Sequence, residues 1–414
     1  MLYFADLHLH SKYSRAVSFN NTIEGLAQGA KLKGLQILGT GDFTHPAWFA
    51  ELKKKLKPSQ HEGLFEAQGV LWMLTTEVAT FLSTPKGVKK VHHILHAPSF
   101  EIAEQINNVL AKKGNLAADG RPMFGNTSPA ELVEITSEVS SDAFVIPAHA
   151  WTPWFGVFGS MSGFNSLEEA FEDQAKKIFA IETGMSSDPA LNWRISALDK
   201  ISLVSNSDAH SPHPWRLGRE CNAFDFEEKE LSCNVIFNAI RERNKHFAFT
   251  VEVNPSYGKY HYDGHRACNF SSAPEETKAL HGICPVCKKP LTIGVLNRVE
   301  QLADREEGFV PKNAIPFKTV LPLHELLSAF YGVRLESREV GETAAKLLSL
   351  APELKILLET PEAQLAKTVD ERIAKIIMQN RDGKIQVKPG FDGEYGIPVL
   401  SEDKTEKQKT LGEF

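Results

Sequence analysis

Of 414 residues only five are cysteine, and three of these (Cys268, Cys284, Cys287) sit in one late segment, so no disulfide framework is expected. That clustering fits a metal site in a reducing compartment and places the chain in the cytoplasm. No uninterrupted apolar run is long enough to span a bilayer. The first residues enter a strand without the basic and apolar regions of a signal peptide. Positive charge is not in excess: the formal net charge of −6 gives no electrostatic hint of nucleic-acid binding. Three divalent ions would cancel that charge, so a polyanionic substrate is not excluded. There is no solenoid repeat and no Ser-His-Asp signature, and hydrolysis by bound metal needs no protein nucleophile. What remains, 42% hydrophobic and 24% charged, is an ordinary globular composition. The length suffices for a large catalytic domain plus one or two smaller ones.

What is present begins at Ala5-Asp6-Leu7-His8-Leu9-His10. This reads as a short buried strand whose two imidazoles, two residues apart, face the same way and can grip one ion. Further His, Asp and Glu residues recur at the ends of later predicted strands.

Asn21-Thr22-Ile23-Glu24 resembles a capping box, with Ile23, Leu26, Ala27 and Ala30 at helical spacing and Gly34 as the stop. Leu35–Leu38 then leads to Asp42, Val70–Leu74 to Glu77, and Val91–Leu95 carries His92 and His93. Phe144–Pro147 leads to His149, Phe179–Ile181 to Glu182, and Ile201–Val204 to Asp208 and His210. Short apolar strands between helix-length segments argue for parallel β/α architecture, and polar residues just past the strand ends place a site at the C-terminal face of a barrel. Gly114–Pro129 reads as a long functional loop. The expected domains are a catalytic barrel over 1–253, a compact cysteine-bearing segment over 254–310, and a helical region over 311–414. In the last, His324–Tyr331, Thr343–Leu350 and Glu362–Met378 are helical, Ile385–Val387 is strand-like, and a mobile polar tail ends the chain.

The candidate metal set is His8, His10, Asp42, Glu77, His92, His149, Asp208 and His210. Imidazole with carboxylate suits zinc, manganese or iron, and a shared carboxylate can bridge two ions. His93 is the alternative to His92, because adjacent strand residues point oppositely. Glu182 reads as a hydrogen-bonded acid at the rim or as a further site residue. His265-Arg266-Ala267-Cys268 and Cys284-Pro285-Val286-Cys287 make two knuckles for a tetrahedral structural zinc, with His261 and His281 as rivals to His265. Cys221 and Cys233 read as buried apolar residues. Trp151, Trp154, Phe155 and Phe158 are core residues or an aromatic rim for unstacked bases. Lys12, Arg15, Arg216 and Arg219 are candidates to meet phosphates or to form surface ion pairs.

The segments Ala5–Ser11, Thr76-Glu77-Val78, Pro147–Trp154 and Ser205–Ser211 resemble PHP-domain motifs (polymerase and histidinol phosphatase). Leu217-Gly218-Arg219-Glu220, Gly258-Lys259-Tyr260-His261 and the run Gly294–Asp304 carry a narrower resemblance, to the endonuclease Q family of repair nucleases for deaminated DNA bases. It runs from the first strand to about Leu326 and more thinly beyond. It implies a PHP-type distorted (β/α)7 barrel, a small zinc-binding domain and a helical region. It also implies a trinuclear site: His8, His10, Glu77 and Asp208 on one ion, Glu77, His92 and His149 on a second, and Asp42 with His210 on a third. Glu77, His149 and Asp208 would be catalytic, and the ions zinc, manganese, magnesium or iron. This chain departs from the PHP pattern at Arg15, Ala16 and Asp42, where histidines are common; His45 is the candidate replacement.

The activity implied is hydrolysis of duplex DNA 5′ to a flipped uracil, hypoxanthine, xanthine or abasic site; Lys12, Arg15, Trp151, Trp154, Arg216 and Arg219 are candidates for the DNA contact from their place beside the metal motifs. A sliding clamp is a conceivable partner, though no motif for it is present. The alternatives are a PHP phosphatase on a small phosphate ester and a non-catalytic zinc-containing DNA-binding protein.

Overall fold

The strands Leu2–Asp6, Ile37–Gly39, Val70–Thr84, Gly87–Ala97, Phe144–Pro147, Ala180–Glu182 and Ser202–Val204 follow one another around a ring. They are seen in a computed structural model that describes residues 1–85 and 87–400, so the expected polar tail lies outside the described residues. Neighbours run parallel except where Gly87–Ala97 lies antiparallel to both Val70–Thr84 and Phe144–Pro147, which is the distortion of the (β/α)7 barrel. Ala150 N–H donates to the Glu182 carbonyl at 2.9 Å and carries the ring past Phe144–Pro147. Leu2–Asp6 also pairs with Cys221–Asp225, so closure comes just beyond it, at a parallel bridge between Leu9 and Ala209. Phe247–Glu252 and Phe317–Thr319 extend the sheet outward from there.

Local chemistry sets the elements. Thr22 accepts from Gly25 N–H at the start of the helix Ile23–Lys33, and Gly34 ends it at φ 97°, a left-handed conformation that glycine adopts without strain. Ile23, Leu26, Ala27 and Ala30 are buried beneath it. The two short strands expected near Val70 and Val91 are longer, because together they form one hairpin that pairs from Leu74↔Ala97 to Thr84↔Gly87.

The helical region contains Leu323–Tyr331, Arg338–Leu348, Glu353–Leu358, Glu362–Ala366 and Glu371–Arg381. The single helix expected over Glu362–Met378 is broken, since Asp370 starts a new one by accepting from Arg372 N–H at 2.8 Å. Gln386–Lys388 pairs with Ile397–Val399, a partner that the sequence pattern did not reveal. Lys33, on the first helix, reaches Glu353 of this region at 2.7 Å with both side chains buried. Among the described residues no helix is long and apolar enough to cross a membrane.

Candidate metal centre

His8 and His10 leave the end of the first strand on one side, as alternation requires. One ligand atom from each of His8, His10, Glu77 and Asp208 lies within 4.8 Å of the others. His8 Nε2 is 3.7 Å from both Glu77 Oε1 and Asp208 Oδ1, while His10 Nε2 is 3.3 Å from Glu77 Oε2 and 3.1 Å from Asp208 Oδ1. Glu77, His92 and His149 form a second such group. Glu77 Oε1 stands 2.7 Å from His92 Nδ1 and 3.2 Å from His149 Nε2, so one carboxylate serves both groups.

The hairpin register settles which histidine faces inward. Directly paired residues share a face, and Ala79↔His92 lies two positions along from Glu77↔Ile94, on the same side. His93 pairs with Val78 on the opposite side, 2.9 Å from Thr80 Oγ1 and edge-on to Phe171.

The loops that present these groups are tightly held. Asp6, fully buried, accepts from Ser207 N–H at 3.1 Å and Gly218 N–H at 2.9 Å and so fixes the turn before Asp208. His149, at φ 28°, and Asp42 and Asp208, both at φ 48°, have left-handed backbones, a local strain that surrounding contacts must hold. Gly120 approaches so closely that a Cβ there would lie 2.3 Å from Asp42 Oδ2.

Asp42 and His210 take different places from the eight-member set expected of them. Asp42 lies on the Nδ1 side of His10, at 3.0 Å, whereas Glu77 and Asp208 lie on its Nε2 side. Its other oxygen accepts from Ser11 N–H and Oγ, each at 2.7 Å, and from Ser14 Oγ at 2.8 Å. Asp42 therefore orients His10 and has little left to offer an ion. His210 stands edge-on to His10 at 4.9 Å and half-exposed, with Nδ1 2.9 Å from the Asp208 carbonyl. His45 stacks on Tyr13 at 4.6 Å and belongs to neither ligand group.

Glu182, ambiguous in the sequence, is central here. Its oxygens lie 3.0 and 3.1 Å from His8 Nδ1, and it accepts from His149 N–H at 2.9 Å and Asn206 Nδ2 at 2.9 Å. Arg121 was not anticipated: it comes from the Gly114–Pro129 loop and donates to Glu77 Oε2 at 3.1 Å. An arginine in a loop has no periodicity to mark it, although that loop's unusual length was a pointer.

The donor set fits divalent metal. His8 Nε2 is buried without a hydrogen-bond partner between two carboxylates. Burial favours neutral imidazole, yet Glu182 and Glu77 hold His8 well above its ordinary range, and Asp42 and Asp208 do the same for His10. Burial also pushes the Glu77 carboxyl up, but His92, Arg121 and His8 hold it well below the usual range. The cluster thus demands positive charge at its centre. Burial pushes His92 down to about 4, leaving it neutral, as a ligand must be.

A cavity of about 570 Å³ opens over the centre, lined by His92, Arg121, His149, Asp208 and His210. Trp154, Arg216 and Arg219 line it as well. Trp151 does not belong to an aromatic rim: it is 1% exposed, donates to Asn192 Oδ1 at 2.8 Å and packs on Phe158 in the core. Phe155 packs its ring 4.2 Å from that of His92. Lys12 pairs with Glu51 at 2.8 Å, and Arg15 is exposed on the loop after His10.

Away from this cavity His265, Cys268, Cys284 and Cys287 gather within 4.8 Å, with Cys287 Sγ 3.3 Å from His265 Nδ1. His261, a rival, faces the Ser186 carbonyl instead. Cys221 and Cys233 are buried free thiols.

Fold and site together define a distorted (β/α)7 barrel protein with a His, Glu and Asp cluster at one mouth, a Cys/His segment and a helical region. No protein-family model matches the chain. It is similar to the crystal structure of a lesion-specific endonuclease Q from Pyrococcus furiosus, at 33% identity, with 98% of each chain covered and a TM-score of 0.86. It is also similar to an endonuclease Q in complex with a 27-mer duplex carrying an abasic lesion at the active site, at 32% identity over 99% of each chain and a TM-score of 0.88. An uncharacterized protein of Methanocaldococcus jannaschii is 30% identical over 262 residues, 62% of this chain; the match spans only 32% of that longer protein. One from Bacillus subtilis is 26% identical over 409 residues, covering 95% of this chain and 98% of the relative. The chain belongs to the endonuclease Q family.

Proposed function

We propose that this protein is a cytoplasmic, metal-dependent DNA repair endonuclease. It cuts the phosphodiester 5′ to a uracil, hypoxanthine, xanthine or abasic site in duplex DNA, with the lesion nucleotide flipped into the cavity. The observation that carries this reading is the sharing of Glu77 between two ligand groups at the floor of a cavity roomy enough for an extruded nucleotide.

His8, His10, Glu77 and Asp208 would hold one ion and Glu77, His92 and His149 a second, drawn from zinc, manganese, magnesium or iron; His265, Cys268, Cys284 and Cys287 would hold a structural zinc. Bound there, the divalent cations supply Lewis-acid charge opposite the phosphodiester and acidify a water. Asp42 orients His10, Glu182 orients His8, and His210 stands at the open edge, so a third ion would have to draw on other donors. Trp154 offers a stacking face, and Arg216 and Arg219 oppose the backbone charge.

The experiment is a nicking assay on paired duplexes that differ by one dU, dI or abasic site. Lesion duplexes should be cut 5′ to the lesion and matched ones left whole; equal cutting of both rejects the lesion reading. Asp208→Ala should abolish cutting and keep lesion binding. Turnover of a simple monoester without DNA cleavage would point instead to a small-ester phosphatase.

A further inference from the structure

On the wall of the same cavity, one tyrosine stands among three cations. Arg219, 7% exposed, donates through Nη1 to the Tyr395 hydroxyl at 3.0 Å. Its other nitrogens donate to the Ser207 carbonyl at 3.2 and 3.0 Å, one residue before Asp208. Lys259 Nζ lies 4.6 Å from the Tyr395 ring centre, and the Arg216 guanidinium 5.2 Å from it. Tyr395 is itself stacked on Tyr257 at 5.3 Å, and Tyr257 bonds to Glu325. Among the described residues Arg216 has Glu325 as an ion-pair partner at 3.3 Å, while the guanidinium of Arg219 is spent on the Ser207 carbonyl and the Tyr395 hydroxyl and Lys259 makes no ion pair. Arg216, Arg219, Lys259 and Tyr395 all line the cavity beside Asp208, His149 and His210.

Lys259, half-buried and without an ion-pair partner, stands beside Arg219, on which Asp208 and Glu220 act only from beyond ion-pair distance, and an anion between them would complete this positive wall. The phenol registers that field: burial pushes it up, yet Arg219, Lys259 and Arg216 pull it down to about 8. At neutral pH the hydroxyl is still protonated. It accepts from Arg219 and has its own hydrogen to give.

We propose that Lys259 and the Tyr395 hydroxyl, with Arg216 beside them and Arg219 holding the tyrosine in place, form an anion subsite for one internucleotide phosphate of the cut strand next to the flipped nucleotide. The proposal rests on the endonuclease reading for the identity of its ligand, and on this cluster alone for its anion chemistry. The subsite fixes the strand's position relative to the metal centre, so Lys259 and Tyr395 are positioning residues. Its loss raises KM more than it lowers kcat.

The test uses abasic duplexes at pH 7 in which single phosphates around the lesion are replaced by neutral methylphosphonates. Wild type and the variants Lys259→Met and Tyr395→Phe are compared, with inorganic phosphate as a separate probe. In wild type one replacement should weaken binding by about tenfold, the scale of a hydrogen bond to a charged group, and the same replacement should have almost no effect in Lys259→Met. Inorganic phosphate should raise the Tyr395 titration midpoint in wild type, read by phenolate absorbance, and leave Lys259→Met unchanged. If lesion duplexes are preferred but no phosphate couples to Lys259, the subsite is wrong and the endonuclease reading stands. If lesion duplexes are not preferred but inorganic phosphate still shifts Tyr395 in a Lys259-dependent way, the anion site stands and its assignment to DNA falls. If neither effect is seen, the subsite is rejected.

Discussion

His8 Nδ1 lies 3.0 and 3.1 Å from the two oxygens of Glu182, and the same carboxylate accepts from the backbone N–H of His149 at 2.9 Å. One acid therefore sets the orientation of a histidine in each ligand group. Outer carboxylates of this kind fix the imidazole tautomer and raise its basicity. Glu182→Gln should lower metal affinity by about 10- to 100-fold with the fold intact, and excess metal should restore part of the activity. Metal titration followed by cleavage reads both; an unchanged affinity would remove Glu182 from the centre.

The Cys/His cluster should behave independently of that centre. Cys287→Ser is expected to reduce bound zinc by about one equivalent and to lower Tm, because a segment of this size lacks a large core of its own. Zinc analysis beside differential scanning calorimetry checks it.

Lys33 and Glu353 join the first barrel helix to the helical region at 2.7 Å with side chains 1% and 0% exposed. Glu353 Oε1 also accepts from Leu323 N–H at 3.1 Å. Lys33→Met should therefore cost about 3–5 kcal/mol by leaving a buried charge uncompensated. The double variant Lys33→Met/Glu353→Gln removes the charge while keeping an acceptor for Leu323, and should recover much of that loss in chemical denaturation.

His96 supplies a pH dependence remote from the metal centre. It is buried between Phe144 at 4.9 Å and Phe237 at 4.2 Å, and burial pushes its imidazole from 6.5 down to about 3. The folded state then binds fewer protons than the unfolded chain between these values. His96 therefore subtracts no stability above about pH 6.5 and costs up to about 1.4 kcal/mol per pH unit as pH falls toward 3. His96→Leu should flatten that acid limb by about one proton in denaturation measured from pH 7 to 4.

Much of the centre was legible in the sequence because parallel β/α barrels collect polar residues at one end of their strands. His8, His10, Glu77, His149 and Asp208 each follow an apolar run of matching kind, and the structure brings them together. The choice between His92 and His93 was not legible, since it depends on how the hairpin pairs across its two strands. Residue type also fails to separate a ligand from the group that orients it: Asp42 and Glu182 carry the same chemistry as Glu77, and only their place behind an imidazole tells them apart. Trp151 illustrates a further limit, because an aromatic beside a site residue can turn inward to an asparagine as easily as outward to a ligand.

The barrel closes where Leu9 meets Ala209, one residue from His10 on one side and from Asp208 and His210 on the other. The last joint of the ring is thus also the place where donors from opposite ends of a two-hundred-residue circuit first become neighbours. A chain that has assembled every strand but the final one owns no complete first group of donors. During refolding, metal uptake at that group should lag behind barrel secondary structure and serve as a clock for closure itself.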